Sequence, residues 1–267
     1  MTTDSGQDDD LGQVPGVLAA DVGNSAIHLA AVRGDDVSAV QVVRSDQWNE
    51  LGEVLSELWA KLAKPRKLVA ASVSPSHLAV LERAAELAIN QEVLVIGRDL
   101  PLPIETDLSD PSRIGVDRLC CAVAAYDRLG KACVVADFGT AVTIDCVSDE
   151  GVFLGGAILP GLRMGAAALN DYTAQLPLVE PAEPNWVLGK DTRQAIVGGL
   201  VFGARGALRE LVDRYANFLG HWPTVIITGG EADLICADPR QDELVQAVVP
   251  DLVLRGVAAA YYRTLLK

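Results

Sequence analysis

The chain has 267 residues, 50% of them hydrophobic, with 36 acidic against 22 basic side chains and a formal net charge of −14. That length and apolar content can fill one large core or two modest ones. The charge excludes a nucleic-acid-binding surface, which needs basic patches against phosphate, and no charge-free apolar run approaches the ~18 residues of a membrane-spanning helix.

Residues 1–15 are polar and carry Asp4, Asp8, Asp9 and Asp10. They lack the basic start and apolar stretch of a secretory signal and read as a disordered acidic tail. Residues 17–21 form an apolar run ending in Asp21. Val22-Gly23-Asn24-Ser25 follows as a tight turn and 26–32 as a second strand, so a hairpin with a polar turn is expected. A third strand is expected at 37–43. Between 47 and 62, Trp48, Leu51, Val54, Leu55, Leu58 and Leu62 fall at helical spacing. A strand at 68–73, a helix at 77–89 and a strand at 93–96 come next, then a loop bracketed by Pro101-Leu102-Pro103 and Pro111.

Residues 114–129 read mainly as helix, stopped at Gly130. An apolar strand at 132–137 again ends in an acid, Asp137. Phe138-Gly139-Thr140 then turns the chain into strands at 141–147 and 152–158. After Pro160-Gly161 a helix is expected through Leu169. A long helix at 192–218, a strand at 225–227, a Thr228-Gly229-Gly230 turn and a helix at 252–266 complete the chain.

The segments 20–27 and 136–143 share one pattern: strand, Asp, apolar residue, Gly, hydroxyl or amide, strand. Each copy opens a run of strands followed by helix and strand. The pattern predicts a duplicated α/β fold of two halves, 16–130 and 131–267, with a cleft between them. The five cysteines include no C-x-x-C pair, so neither a disulfide framework nor a zinc site is indicated, and a reducing cytoplasm is expected.

An Asp at a strand end beside a glycine turn points a carboxylate and a row of N–H groups into one space. Turn amides bind phosphate closely, while the carboxylate holds Mg²⁺ that in turn binds the phosphates. One such turn alone is ordinary hairpin chemistry; two facing each other across a cleft suit a nucleotide, with Ser25, Thr140 and Thr143 as further donors. Neither G-x-x-x-x-G-K-[ST] nor a strand-linked G-x-G-x-x-G is present. Gly115-Val116-Asp117-Arg118 puts a carboxylate and a guanidinium at a helix start. Either Asp117 accepts a proton from an attacking hydroxyl while Arg118 clamps a carboxylate, or Asp117 caps the helix and Arg118 is solvated. The three histidines, His28, His77 and His221, read as structural or surface residues.

Taken in order, Asp21-Val22-Gly23-Asn24-Ser25, Gly115-Val116-Asp117-Arg118, Asp137-Phe138-Gly139-Thr140-Ala141, Gly155-Gly156-Ala157-Ile158-Leu159-Pro160-Gly161 and Gly189-Lys190-Asp191-Thr192 resemble the motifs of type III pantothenate kinases. Thr173-Ala174-Gln175-Leu176-Pro177 and Thr228-Gly229-Gly230 fit as well, so the resemblance spans about residues 16–260. It implies the duplicated ribonuclease H-like fold of actin-like ATPases and transfer of the ATP γ-phosphate to pantothenate, the first step toward coenzyme A. By resemblance, Asp21, Val22, Gly23, Asn24, Ser25, Ala26, Ile27, His28 and Thr140 bind ATP, which carries Mg²⁺. Gly115, Val116, Asp117, Arg118 and Thr192 bind pantothenate, with Asp117 as general base. Asp137 marks a potassium or ammonium site, and the protein is a homodimer with the pantothenate pocket near the interface.

One departure is Leu108, which stands where the family often has tyrosine. It keeps open a kinase or phosphatase of the same superfamily acting on another substrate. A non-catalytic regulator on the same fold is the other alternative, opposed by the presence of Asp21, Asp117 and Asp137.

Overall fold

The computed structural model describes residues 14–236 and 242–266, with only the backbone of Ser112; most of the expected acidic tail, residues 1–13, lies outside the described residues. The first half of the chain runs β1 (Gly16–Val22), β2 (Ala26–Arg33), β3 (Asp36–Val37), β4 (Gln41–Arg44), α1 (Leu51–Lys61), β5 (Arg66–Ser72), α2 (Pro75–Ile89), β6 (Val93–Val95), β7 (Glu105–Thr106) and α3 (Val116–Leu129). The second runs β8 (Cys133–Phe138), β9 (Ala141–Val147), β10 (Val152–Pro160), α4 (Leu162–Asp171), α5 (Thr192–Leu219), β11 (Thr224–Thr228), β12 (Ala247–Val248) and α6 (Leu252–Leu265).

The strands form two sheets of the same design. The first has the order β3-β2-β1-β5-β6 with β4 also on β2, and the second β12-β11-β8-β9-β10-β7. In each, the opening strand lies between an antiparallel hairpin partner and a parallel strand reached through helix: β1 between β2 and β5, β8 between β9 and β11. This repeat is the duplicated ribonuclease H-like arrangement. The two opening strands read as unbroken apolar runs because sheet neighbours and helices cover them on every side.

Packing sets the layers. Leu18, Ile27, Leu29 and Leu68 meet Leu51, Leu55 and Leu81 of α1 and α2 on one face of the first sheet. Its other face packs Val17, Ala19, Val69 and Ala71 on Cys120 of α3 and Leu254, Val257 and Ala258 of α6. The far side of α3, through Leu119, Ala122 and Val123, meets Val135, Val147, Phe153 and Ile226 of the second sheet. Leu208 and Val212 of α5 cover the outer face of that sheet. Thus α3 and α6 fill the space between the sheets, and α6 packs on the first sheet although it follows the second in sequence.

The expected strand at 37–43 is two short strands, both paired to β2. The ladder breaks between them, where the Ala31 N–H is taken by the Ser38 side chain at 3.0 Å. Two-residue strands β7 and β12 stand where a loop and no element were expected. The duplicated hairpins also differ in length. Val22 pairs with Ile27 but Phe138 pairs with Val142, so the first turn has one residue more and the match of 20–27 to 136–143 slips by one beyond the turn.

Candidate active site

The two hairpin turns meet. Ser25 Oγ lies 3.3 Å from Thr140 Oγ1, with both side chains exposed, so the ends of two central strands converge at one place between the sheets. Within the first turn, Gly23 N–H donates to Ala26 O at 3.0 Å. The Gly23 carbonyl accepts from His77 Nδ1 of α2 at 2.8 Å, and the His77 ring stands edge-on to Trp48 with centroids 5.0 Å apart. Val22, Ala26 and Ile27 bury their side chains in the core, leaving their backbone and the side chains of Asn24 and Ser25 to face outward.

Asp21 and His28 are opposite one another on β1 and β2, and His28 Nδ1 reaches Asp21 Oδ2 at 3.4 Å. The hydrogen bond to Asp21 is the main cause that raises the His28 pKa, against the opposing effect of burial. Sequence reasoning treated His28 as structural or surface apart from its place in the ATP segment; its cross-strand position explains the pairing.

The second turn is gripped by glycine-rich neighbours. Gly139 N–H donates to Ala141 O, Thr140 O accepts from Gly161 N–H, and Phe138 O accepts from Glu231 N–H. Gly229 has φ +97°, and a Cβ there would stand 2.4 Å from Asp137 Oδ1. Only glycine both adopts that backbone and leaves room for the carboxylate. The Thr228-Gly229-Gly230 turn therefore folds around Asp137. Buried Glu231 behind it accepts from Leu162 N–H at the start of α4 and from Arg163.

Asp117 enters from the first turn of α3, and the electrostatics join it to the strand-end acids. Burial first, then the charge of Asp21, pushes the Asp117 pKa up to about 6. Burial, then Asp21 and Asp117, pushes Asp137 up to about 7. Three carboxylates thus share one partly desolvated space, where the charge of Asp21 disfavours ionisation of Asp117 and Asp137. Asp117 Oδ1 accepts from Arg118 N–H at 2.9 Å, a local bond that favours its ionised form.

Arg118 is neither solvated nor wholly free to clamp a ligand, as the sequence had suggested. Its side chain is 15% exposed and forms a forked ion pair with Asp145, itself 3% exposed on β9. Arg118 Nε donates at 3.0 Å to Oδ2 and 3.2 Å to Oδ1, and Nη2 donates to Oδ1. Sequence reasoning missed Asp145. The signal available was a lone acid inside the apolar strand 141–147.

Thr192, the first residue of α5, lines a groove with Leu169, Leu176, Ala195, Ile196, Gly199 and Leu200; none of the other expected site residues lines it. Leu108 packs with Phe153, Leu119 and Ile104 beside α3. Among the described residues, no three His, Cys, Asp or Glu side chains are placed to hold a metal by themselves. A magnesium ion that travels on a triphosphate asks for only one or two carboxylates. Asp137, its pKa raised by burial and by the charge of Asp21, suits a bound cation, whose charge would relieve that repulsion.

A family profile for type III pantothenate kinase matches residues 17–214. The type III pantothenate kinase of Akkermansia muciniphila is 41% identical over 162 residues, 61% of this chain and 66% of that protein. That of Dehalococcoides mccartyi is 30% identical over 252 residues, 92% of this chain and 96% of that one. In structure, a Campylobacter jejuni protein described as a Baf family transcriptional activator superposes with a TM-score of 0.60 at 19% identity. That match covers 94% of this chain and all of the other, and it bears on the fold alone. By its sequence across both hairpins and α3, the chain belongs to the type III pantothenate kinase family.

Proposed function

We infer that the protein is a transferase that uses ATP to phosphorylate pantothenate to 4'-phosphopantothenate, the first step of coenzyme A biosynthesis. Family membership supplies the reaction, and one observation carries its location: Ser25 and Thr140 join the two acid-and-glycine turns beside Asp117. In this reading residues 21–28 and Thr140 receive the triphosphate. Residues 115–118 receive pantothenate, and the halves 16–130 and 131–267 close the site from two sides.

The proposed chemistry is short. Asp117, ionised above its raised pKa, takes the proton of the primary hydroxyl. The freed oxygen attacks the γ-phosphorus, the bond from that phosphorus to the β–γ bridging oxygen breaks, and ADP leaves with the electron pair while Asp117 keeps the proton. Arg118 orients the substrate carboxylate, and the hydroxyls of Ser25 and Thr140 donate to phosphate oxygens. Asp21 would hold the Mg²⁺ carried with ATP, which would supply neutralisation of phosphate charge, and Asp137 would hold a potassium or ammonium ion. Positioning and charge neutralisation supply most of the acceleration.

A homodimer is part of the proposal. Tyr172, Val187 and Leu188 are 89%, 89% and 67% exposed and, with Met164, Leu178 and Phe202, belong to α4, α5 and the chain between them, which also supply the groove that Thr192 lines. Exposed apolar side chains concentrated in one stretch of chain favour a partner. A cytoplasmic site of action fits five free, buried cysteines; among the described residues no helix is long and apolar enough to cross a membrane.

Mass spectrometry of the purified protein with ATP and pantothenate tests the reaction. Formation of 4'-phosphopantothenate supports it. ATP binding without turnover points instead to a regulator, and turnover of a different alcohol alone points to another kinase.

A further inference from the structure

Arg118 has five N–H donors, and three features of the second sheet decide which of them are free. Asp145 lies on β9 and takes Nε and Nη2 together. The ring of Phe153 on β10 lies beneath the guanidinium, 5.5 Å from Cζ to centroid. Across the ladder from Asp145 stands Gly156, where a Cβ would come within 2.2 Å of Asp145 Oδ1 and 2.3 Å of Ile144 O. Any larger residue at 156 would drive the carboxylate out of its place. The register shift between Phe153 and Gly155 lets Phe153 and Gly156 serve these two separate roles on one strand. The Thr143 hydroxyl, two residues earlier on β9, favours the ionised form of the Asp145 carboxylate. Among the described residues Nη1 has no hydrogen bond to the chain, so the held guanidinium presents one edge.

We propose that Asp145 is a positioning residue for the phosphoryl transfer: it holds Arg118 so that the Nη1 edge meets the carboxylate of the alcohol substrate. A forked pair fixes both the plane and the rotation of a guanidinium, which a single contact does not. The carboxylate acts through Arg118 and touches neither the substrate nor the reacting atoms. The inference rests on the reading of Arg118 as the substrate-carboxylate contact, and it goes further by assigning a cause to that contact's geometry.

A double-mutant cycle tests it with purified protein. Arg118→Ala, Asp145→Asn and the double variant are compared in KM for pantothenate, KM for ATP and kcat. Asp145→Asn is expected to raise KM for pantothenate at least about tenfold, the scale of one buried charge-assisted bond. Its KM for ATP should stay within about twofold and kcat should change less than KM. In the Arg118→Ala background, Asp145→Asn should then add nothing. Effects that multiply in the double variant, or an Asp145→Asn loss confined to kcat, overturn the proposal, because a merely structural carboxylate would produce them. An Arg118→Ala variant with unchanged pantothenate KM overturns the reading of Arg118 and this inference with it. Should Asp145→Asn fail to fold, Thr143→Val removes only the neighbouring hydroxyl that favours the ionised Asp145 carboxylate. A smaller rise in the same KM is expected, and no rise counts against the proposal.

Discussion

Ser25 and Thr140, separated by 115 residues of chain, face each other at 3.3 Å between their hydroxyl oxygens. They occupy matching places in the two hairpin turns once the one-residue difference in turn length is allowed for. The internal repeat therefore meets itself at these two hydroxyls, and the strand-end acids Asp21 and Asp137 flank the meeting point. Because both side chains are exposed, the contact itself adds little to stability. Ser25→Ala should leave the melting temperature close to that of the parent. KM for ATP should rise about three- to tenfold, the worth of one hydrogen bond, with KM for pantothenate unchanged. A raised pantothenate KM with ATP unaffected would move the phosphate site elsewhere.

The acid limb of the pH profile should report Asp117. Its pKa of about 6, raised first by burial and then by Asp21, means that the basic form fills in as pH climbs through that value. With pantothenate varied, kcat/KM should rise about tenfold per pH unit below the limb and flatten above it. A limb near the ordinary carboxylate value of about 4 would show that Asp117 is not crowded as described.

Asp137 should tie stability to pH and to cations. Its folded pKa of about 7 lies above the unfolded value, so the folded state holds the extra proton. That stabilisation is complete below about pH 4 and is lost as pH rises to about 7. The ligand-free protein should lose melting temperature across this window relative to Asp137→Asn, which cannot titrate. At pH 8, potassium or ammonium should restore melting temperature in the parent and not in the variant. Parallel melting curves for the two proteins, with and without salt, would contradict the assignment.

Leu108 lies half-buried against Phe153 and Leu119, with its Cδ2 3.4 Å from where a Gly155 Cβ would be. It contributes no polar group beside Gly155. Leu108→Tyr adds one hydroxyl there. The expected result is a pantothenate KM lower by up to about tenfold, one hydrogen bond's worth, at similar kcat. A variant that instead loses pantothenate and gains another alcohol would favour the alternative substrate.

Much of this was legible in the chain. The strands β1 and β8, buried on all sides, appear as apolar runs that end in Asp21 and Asp137, and glycine marks both turns. Helices α1, α2, α3 and α5 follow from periodicity and from Pro75, Gly130 and Asp191 at their ends. What stayed hidden was set by distant partners. Strands β7 and β12 exist because β10 and β11 offer an edge, not through any local preference. The difference in turn length depends on which carbonyl closes each turn, Ala26 or Ala141. Arg118 and Asp145 stand 27 positions apart on different elements. Only the packing of α3 against the second sheet brings them together, so spacing gave no hint of the pair.

The central claim is that one carboxylate, Asp117, removes the proton while the two turns hold the nucleotide. Steady-state phosphorylation of pantothenate by the parent and by Asp117→Asn tests it most directly, with ATP binding measured on both by calorimetry. The account predicts at least about a hundredfold lower kcat in the variant, with ATP affinity and melting temperature preserved. Turnover within a few-fold of the parent would contradict it.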